Sequence, residues 1–282
     1  MERGARAEMQ RPTDVNQLPD EVLELILSWV PARTLVARCR LVCRRWRDLI
    51  GRPTLWKLQC ERDPALQAVL QAAQRCPRVD WCRVAVLRPF GRNLIKNPCG
   101  NGLPLEDEPR LCKSAQEQFR HWNIHFSKTR CFLEKSRRAS AAGGGEHPGF
   151  TACYRWYSKS QVVDLLQEGF WEDLLDFYQP NIIISDRWDI RRSTGCEYSM
   201  AVTLLAADQA SVIADFKAEP DSTSQRNFPG YNEVSHVFRN YGPGVRYIRF
   251  WHEGRDTQYW KGCFGIHFTN SMVLVKISQE PV

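Results

Sequence analysis

The segment from Val15 to Glu61 constrains the fold most, because its apolar residues recur every three or four positions and prolines interrupt the pattern. That spacing places apolar side chains on one face of a helix. Pro19 suits a first helical turn, where its missing N–H costs nothing. Pro31 ends the first helical pattern, and a further break follows at Pro53. The segment therefore predicts three short helices.

These helices are too short to bury all their apolar side chains by themselves. A unit of about 45 residues lies below the size at which a core is usually sufficient without staples or partners. The apolar stripe consists of Val22, Leu23, Ile26, Leu27, Val30, Leu35, Cys39, Val42, Cys43, Trp46, Leu49 and Ile50. Residual apolar surface on a small helical unit marks a docking site. We therefore expect the N-terminal part of the chain to bind a partner protein.

The order and spacing of these residues resemble an F-box. The resemblance rests on Leu18-Pro19 with Val22 and Leu23, then Leu35, Val42-Cys43-Arg44-Arg45-Trp46 and Leu55-Trp56. In that family the motif binds a Skp1-type adaptor, which links it to cullin-1 and the RING subunit of a ubiquitin ligase. The resemblance implies an adaptor-binding set of Leu18, Pro19, Val22, Leu23, Ile26, Leu35, Val42, Cys43, Trp46, Leu55 and Trp56. The alternative to an F-box is a generic three-helix core.

The formal net charge is +7. Part of the excess is a cluster formed by Arg33, Arg38, Arg40, Arg44, Arg45 and Arg47. A nucleic-acid surface would explain it, and so would the solvated face of a helix docked on an acidic partner. The interleaved apolar residues favour the second explanation, so we expect no nucleic-acid partner.

The chain contains eleven cysteines, a number that by itself would suggest a disulfide scaffold. Their context does not support one. The number is odd, and the N-terminal sequence lacks the apolar core of a secretory signal. No apolar run approaches the roughly 20 residues that span a bilayer. We expect free thiols in a reducing compartment, a cytoplasmic location and no membrane insertion.

The chain divides into four predicted parts: a disordered N-terminus (1–14), an F-box (15–61), a helical linker (62–88) and a strand-rich domain (89–282). In the last part, short alternating stretches predict strands at 181–185, 198–205, 212–216, 234–238, 245–250 and 272–277. Several short strands at this spacing suggest a β-sandwich. The apolar spacing between Gln161 and Leu175 predicts one or two helices.

The strand-rich part is similar to an F-box-associated domain. The similarity rests on the segments 89–100, 169–176, 235–238, 241–246 and 256–262. The resemblance implies an α+β chain with an N-terminal three-helix F-box, a helical linker and a C-terminal antiparallel jelly-roll-like β-sandwich. It also implies the substrate-recognition subunit of a Skp1–cullin–F-box ubiquitin ligase. Some members recognise N-linked high-mannose glycans, which implies misfolded glycoproteins as substrates for ER-associated degradation.

The residues that carry over to the family's sugar site are Tyr154, Tyr259, Trp260 and Lys261. The Trp260 ring can cover the apolar face of a pyranose, while Tyr259 and Lys261 offer hydrogen-bond donors. A Trp buried in the sandwich core is the alternative for Trp260. Ser193 stands where sugar-binding relatives place an acidic residue, which keeps open a receptor for a protein epitope without sugar.

Catalytic and metal chemistry have weaker support in the sequence. Asp186, Asp189 and Glu197 are candidates for a pair of glycosidase carboxylates only in the loosest sense, because solvated loop carboxylates are common. His121 and His125 share helical spacing, but paired cysteine ligands of the zinc-site type are missing around them. We therefore predict a non-catalytic adaptor subunit with no metal and no cofactor.

Overall fold

The computed structural model describes residues 14–76, 78–99, 119–125, 132–135, 148–151, 156–190, 196–220, 232–257 and 266–277. Its described residues form two compact units. The helical unit comprises those up to residue 70 together with 80–86, and the sandwich unit comprises 71–79 and the described residues from 87 onward. The predicted linker 62–88 is thus divided between the two units.

Six α-helices occupy the first part of the described chain: α1 (Asp20–Leu27), α2 (Ala32–Ala37), α3 (Arg44–Gly51), α4 (Pro53–Glu61), α5 (Gln67–Arg75) and α6 (Trp81–Leu87). Short 3₁₀ segments lie at Val15–Gln17, Cys39–Leu41 and Pro64–Leu66. Pro53 occupies the first turn of α4. Pro19 is the N-cap of α1 and does not lie in its first turn, and α1 ends at Leu27, before Pro31. Pro31 directly precedes α2.

The predicted second helix is divided into α2 and α3. Arg38 leaves the helical region after α2, and a 3₁₀ turn follows at Cys39–Leu41. Cys43 is extended, and its Sγ accepts the Trp46 N–H at 3.5 Å as the N-cap of α3. The capping residue therefore begins a new helix where apolar spacing alone suggested continuity.

The core of the helical unit is a compact apolar cluster. Its most buried members, each no more than 2% exposed, are Leu23, Leu27, Leu35, Leu49, Ile50, Leu55 and Trp56. Full burial of one such side chain stabilises the fold by about 1.5–3 kcal/mol. The Trp56 indole donates to the Ile50 carbonyl at 2.7 Å, which satisfies the one polar group that this ring brings into the core.

Ten strands among the described residues form two antiparallel sheets. They are β1 (Asn123–Ile124), β2 (Phe132–Lys135), β3 (Pro148–Thr151), β4 (Tyr157–Asp164), β5 (Asn181–Ile190), β6 (Cys196–Leu205), β7 (Val212–Ala218), β8 (Asn232–Phe238), β9 (Tyr247–Asp256) and β10 (Ile266–Lys276). Sheet A has the order β1-β4-β9-β6-β7, and sheet B has the order β2-β3-β10-β5-β8. The α+β class and the antiparallel sandwich are confirmed.

All six predicted strands are present, but the predicted helical stretch from Gln161 to Leu175 is partly wrong. Its first four residues belong to β4, which pairs with β9 along its length. A short helix, α7 (Leu165–Glu168), follows because Asp164 accepts the Gln167 N–H as its N-cap. A single π-helical turn then covers Leu174–Tyr178.

In the segment that opens the sandwich unit, the Asn93 side chain bonds to β10 in addition to the backbone N–H groups of Gly91 and Leu94, which donate to the Val275 and Val273 carbonyls. The Asn93 side-chain oxygen accepts from Val273 N at 3.1 Å, and its amide donates to the Ser271 carbonyl at 2.9 Å. These bonds fall beside the irregularity between Thr269 and Met272 in β10. This part of the family motif therefore satisfies backbone groups that a regular strand pairing would otherwise use.

A second motif segment, Tyr241–Arg246, is held by an ion pair. Arg246 and Asp176 form two hydrogen bonds of 2.8 Å, and the Gly244 N–H donates to the same carboxylate at 2.7 Å. Gly244 has φ of +95°, a conformation that glycine adopts without steric cost. The Arg246 hydrogen bonds lower the pKa of Asp176. The motif residues thus fix a turn against the π-helical segment.

Candidate functional site

Helix α1 carries apolar side chains on two opposite sides. Leu23 and Leu27 are buried in the helical core, at 0% and 1% exposure. Val22, Leu25, Ile26 and Trp29 share the other side and are 42%, 48%, 43% and 73% exposed. We call this second side the α1 outer face. A surface helix normally has one apolar stripe, so a second one is unexplained by the core.

Trp29, two residues after the end of α1, is the most exposed residue of this face. The Arg62 guanidinium carbon lies 4.0 Å from the centroid of its ring, a cation–π geometry. Arg62 also donates to the Ser28 hydroxyl at 2.5 Å. The indole is therefore held in place before any partner arrives, which reduces the ordering entropy lost on binding.

Polar contacts at the start of α1 fix its position. Asp20 pairs with Arg45 at 2.7 Å and with Arg52 at 2.9 Å. The hydrogen bonds from Arg45, followed by those from Arg52, lower the pKa of Asp20. Arg45 also donates to the carbonyls of Asn16 and Leu18. Within the basic cluster, Arg45 therefore holds the start of α1 in place through these contacts. The other members, Arg33, Arg38, Arg40, Arg44 and Arg47, are exposed.

The predicted adaptor-binding residues fall into three groups by burial. Exposed members are Pro19, Val22, Ile26, Val42 and Cys43, and half-buried members are Leu18 and Trp46. Leu23, Leu35, Leu55 and Trp56 are 0–2% exposed and belong to the helical core. For these four, the structure favours a supporting role beneath a surface over the predicted direct contact. Sequence reasoning missed the exposed Leu25, Trp29 and Leu41, although Leu25 and Trp29 follow Val22 at helical spacing.

The interior of the sandwich contains a buried polar network. Asp186 of β5 is 0% exposed and accepts from Tyr198 of β6 and Ser271 of β10, each at 2.8 Å. The Asp186 oxygen that accepts from Tyr198, Oδ2, is also hydrogen-bonded to Nδ1 of His252 on β9. Four strands from both sheets therefore meet at one carboxylate, which is hydrogen-bonded as buried charges must be.

Aromatic rings and a lysine surround this network. His252 stacks on Trp122 with centroids 5.4 Å apart, and the Lys159 ammonium lies 3.8 Å from the centroid of the Trp122 ring. Burial, opposed by the nearby Asp186 carboxylate, lowers the pKa of His252, and the Lys159 charge lowers it further. Burial and the neighbouring Asp186 charge raise the pKa of Tyr198. Tyr198 and His252 thus share Asp186 as a buried hydrogen-bond partner.

The structure also gives the surroundings of the three carboxylates that were considered for glycosidase chemistry. Asp186 is enclosed in the network, and Asp189 is 8% exposed. Glu197 forms a two-point ion pair with Arg255, at 2.9 and 2.8 Å. Asp186 and Glu197 thus have structural partners. Among the residues that the structure describes, no group of three or more His, Cys, Asp or Glu side chains is arranged to hold a metal ion.

The predicted glycan-binding residues Tyr154, Tyr259, Trp260 and Lys261 lie outside the described residues, as does Ser193. Their roles stay predictions. The predicted N-terminal stretch 1–14 is described only at its last residue. In the described part of the chain, no helix combines the length and the apolar character needed to cross a membrane. The free thiols among the described cysteines include Cys39, Cys43, Cys76, Cys82 and Cys99.

Comparison with known proteins gives matches over both units. Residues 15–62 match the family described as F-box-like, and residues 85–275 match the F-box associated region. F-box only protein 27 of Mus musculus is 39% identical over 283 residues, which cover 96% of this chain and 94% of that protein. F-box only protein 17 of Homo sapiens is 38% identical over 291 residues, which cover 97% of this chain and 99% of that protein. F-box only protein 6 of Homo sapiens is also 38% identical, with 93% and 84% covered.

Proposed function

The chain belongs to the family of F-box proteins that carry an F-box-associated region, and from this premise we propose that it is the substrate-recognition subunit of a Skp1–cullin–F-box ubiquitin ligase. The helical unit binds a Skp1-type adaptor and through it cullin-1 and the RING subunit. The sandwich unit captures the target. The chain itself supplies proximity, since it holds the target near the ubiquitin-carrying enzyme, and the transfer chemistry belongs to other subunits.

The α1 outer face is the observation that carries this proposal. Its four apolar side chains are 42–73% exposed although an apolar core lies directly behind the helix. An aromatic anchor surrounded by aliphatic residues is the usual composition of an interface hot spot. We propose that the adaptor covers this face, with Val42 and Cys43 as further contacts. The buried Leu23, Leu35, Leu55 and Trp56 set its shape from beneath.

We also propose that the target is recognised by a high-mannose N-glycan on a misfolded glycoprotein in the cytosol, during ER-associated degradation. The support is the sequence pattern at Tyr154 and Tyr259–Lys261, together with family membership. Trp260 would cover a sugar face while Tyr259 and Lys261 bind its oxygens. One sugar contact of this kind is weak, and several glycans or added protein contacts would strengthen binding through avidity.

A matched pair of valine variants tests the adaptor-binding half. Val22 on α1 and Val212 on β7 are both exposed, at 42% and 58%. In co-purification with a Skp1-type adaptor, Val22→Asp should lose the complex because it places a charge at the centre of an apolar contact. Val212→Asp should retain the complex. Retention of the complex by both variants would show that the adaptor binds elsewhere.

A matched pair of tryptophan variants tests the glycan half on the full chain. Trp260→Ala should weaken binding to high-mannose structures on a glycan array at least tenfold, whereas Trp29→Ala should leave glycan binding unchanged. The same two proteins should show the opposite pattern with the adaptor. A chain that binds no glycan at all would remove this half of the proposal and leave the adaptor half intact.

The second candidate is a receptor that recognises a protein epitope without sugar. Phe177, in the π-helical turn of the sandwich unit, is 77% exposed. A large exposed aromatic residue is typical of protein-binding surfaces. Capture of non-glycosylated targets that is lost in Phe177→Ala and retained in Trp260→Ala would favour this candidate.

A further inference from the structure

A trough runs along strand β4 on the outer face of sheet A. Its volume is about 630 Å³, within the range of small-molecule sites. The lining residues are Asn123, His125, Ser158, Ser160, Val162, Arg249 and Trp251. All of them belong to β1, β4, β9 or the residue directly after β1. We call this feature the β4 trough.

The strand register explains its shape. Ser160 pairs with Asn123 of β1 on one side and with Trp251 of β9 on the other. Side chains of directly paired residues point to the same face. The two small serines Ser158 and Ser160 therefore form a low floor between larger neighbours. His125 and Asn123 make one wall, and Trp251 makes the opposite wall.

The floor and one wall present hydrogen-bonding groups. The His125 ring nitrogen Nε2 lies 2.6 Å from the Ser160 hydroxyl. The Ser158 hydroxyl is buried and has no hydrogen-bond partner among the residues that the structure describes. Buried polar atoms are normally paired, so a hydroxyl group that reached this floor would complete the bonding of Ser158. Asn123 and His125 are exposed and can donate and accept.

These features disfavour two other kinds of ligand. A peptide cannot join as an added strand beside Lys159 and Ser160, because these two residues already pair with both β1 and β9. An anion would meet only one permanently cationic lining residue, Arg249, whose guanidinium already donates to the Gln209 carbonyl at 3.1 Å. A neutral ligand with one apolar face and several hydroxyl groups fits an indole wall opposite a polar wall.

We propose that the β4 trough binds a neutral pyranose of an oligosaccharide, with Trp251 stacked on the apolar face of the ring. Asn123 and His125 bind hydroxyl groups along the opposite edge, and the serine floor accepts a hydroxyl that points inward. The trough uses none of the residues assigned to the predicted glycan site at Tyr259–Lys261. It deepens the proposed function by adding a second subsite and rests on that function for the source of the sugar.

Fluorine NMR of the full chain tests this site. The tryptophans are labelled with 5-fluorotryptophan, the Trp251 resonance is assigned with Trp251→Phe, and free Man9GlcNAc2 is titrated. We expect a saturable shift of the Trp251 resonance that persists in Trp260→Ala. Val162→Arg, which fills the trough, should weaken this response at least tenfold. The matched Val212→Arg, on β7 of the same sheet, should leave it unchanged.

The outcomes separate this site from the predicted one. Binding that depends on Trp260 with a stationary Trp251 resonance would overturn the β4 trough and leave the proposed function standing. A Trp251 shift that Trp260→Ala does not alter supports the trough even if the predicted site contributes nothing. No response of any tryptophan to the oligosaccharide would overturn both, and a Trp251 shift that Val162→Arg leaves unchanged would overturn the trough alone.

Discussion

The two units of the chain differ in the side chains that fill their cores. The helical unit has an entirely apolar central cluster, yet leaves Trp29 73% exposed. The sandwich unit buries Trp188 completely and also encloses the polar Asp186 and His252 at 0% exposure. The exposed apolar side of the helical unit is the surface that we propose the adaptor covers. The sandwich closes around its own polar network, so its binding function must lie on its outer faces and loops.

The buried network should give the largest effect. Asp186→Ala leaves Tyr198, Ser271 and His252 without their shared acceptor, and unpaired buried polar groups cost about 1–3 kcal/mol each. We expect a loss of about 4 kcal/mol in the free energy of unfolding of the sandwich, measured by urea denaturation. Asp215→Ala on the exposed side of β7 is the control. A loss below about 1 kcal/mol would mean that the network does not stabilise the core.

The core side of α1 should give the next largest effect. Leu23→Ala removes a side chain with 0% exposure and should destabilise the helical unit by about 3 kcal/mol through lost burial and a cavity. Leu25→Ala, on the α1 outer face, is its matched control and should change stability little. Thermal unfolding of the two variants measures the contrast, and equal losses would contradict the division of α1 into two faces.

The Asp176–Arg246 ion pair should have a smaller effect. Their side chains are 21% and 12% exposed, so Asp176→Asn should lower stability by roughly 2 kcal/mol. Glu219→Gln, which removes the fully exposed ion pair with Lys217, should give no measurable change. Because the pKa of folded Asp176 is lowered, its stabilisation is complete above the unfolded value of about 3.9 and is lost as pH falls through the folded pKa. If the wild type remained more stable than Asp176→Asn at a pH where Asp176 is fully protonated, the ion pair would not be the source of the difference.

Acidification of the sandwich core should give the smallest effect. Since burial lowers the pKa of His252 in the fold, the unfolded chain binds its proton first, and stability falls as pH drops below about 6.5. The contribution of one histidine cannot exceed about 1.4 kcal/mol per pH unit. Urea unfolding at pH 7 and pH 5.5 should show a steeper pH dependence for the wild type than for His252→Gln. Identical slopes would exclude His252 as the titrating group.

The fold could be predicted from the sequence where one regular pattern decides it. The alternation in Arg246–Trp251 predicts one buried and one wet face, and Ile248 and Phe250 are indeed buried while Arg249 is exposed. The same reasoning was wrong at 161–164, because Val162 and Val163 fit helical spacing as well as a strand. Pairing with β9 decides that stretch, and a local pattern does not contain this information.

The candidate site was less accessible to prediction. Val22 and Leu23 are neighbours and both are strongly hydrophobic, so the sequence cannot tell which one faces the core when both sides of the helix are apolar. Two of the contacts described above join residues that are distant in sequence. They are the hydrogen bond between Arg45 and Asp20 and the hydrogen bond between His252 and Asp186. The β4 trough likewise depends on strand register, because Asn123, Ser160 and Trp251 become neighbours only in the folded sheet.

The affinity of the full chain for a Skp1-type adaptor, measured with and without the Trp29 indole, tests the role of the α1 outer face most directly. Isothermal titration calorimetry should show binding at least tenfold weaker for Trp29→Ala, a loss of about 1.4 kcal/mol or more. Its unfolding temperature should match that of the wild type, because Trp29 is outside the core. Unchanged affinity in a folded Trp29→Ala protein would contradict the assignment of the α1 outer face as the adaptor-binding surface.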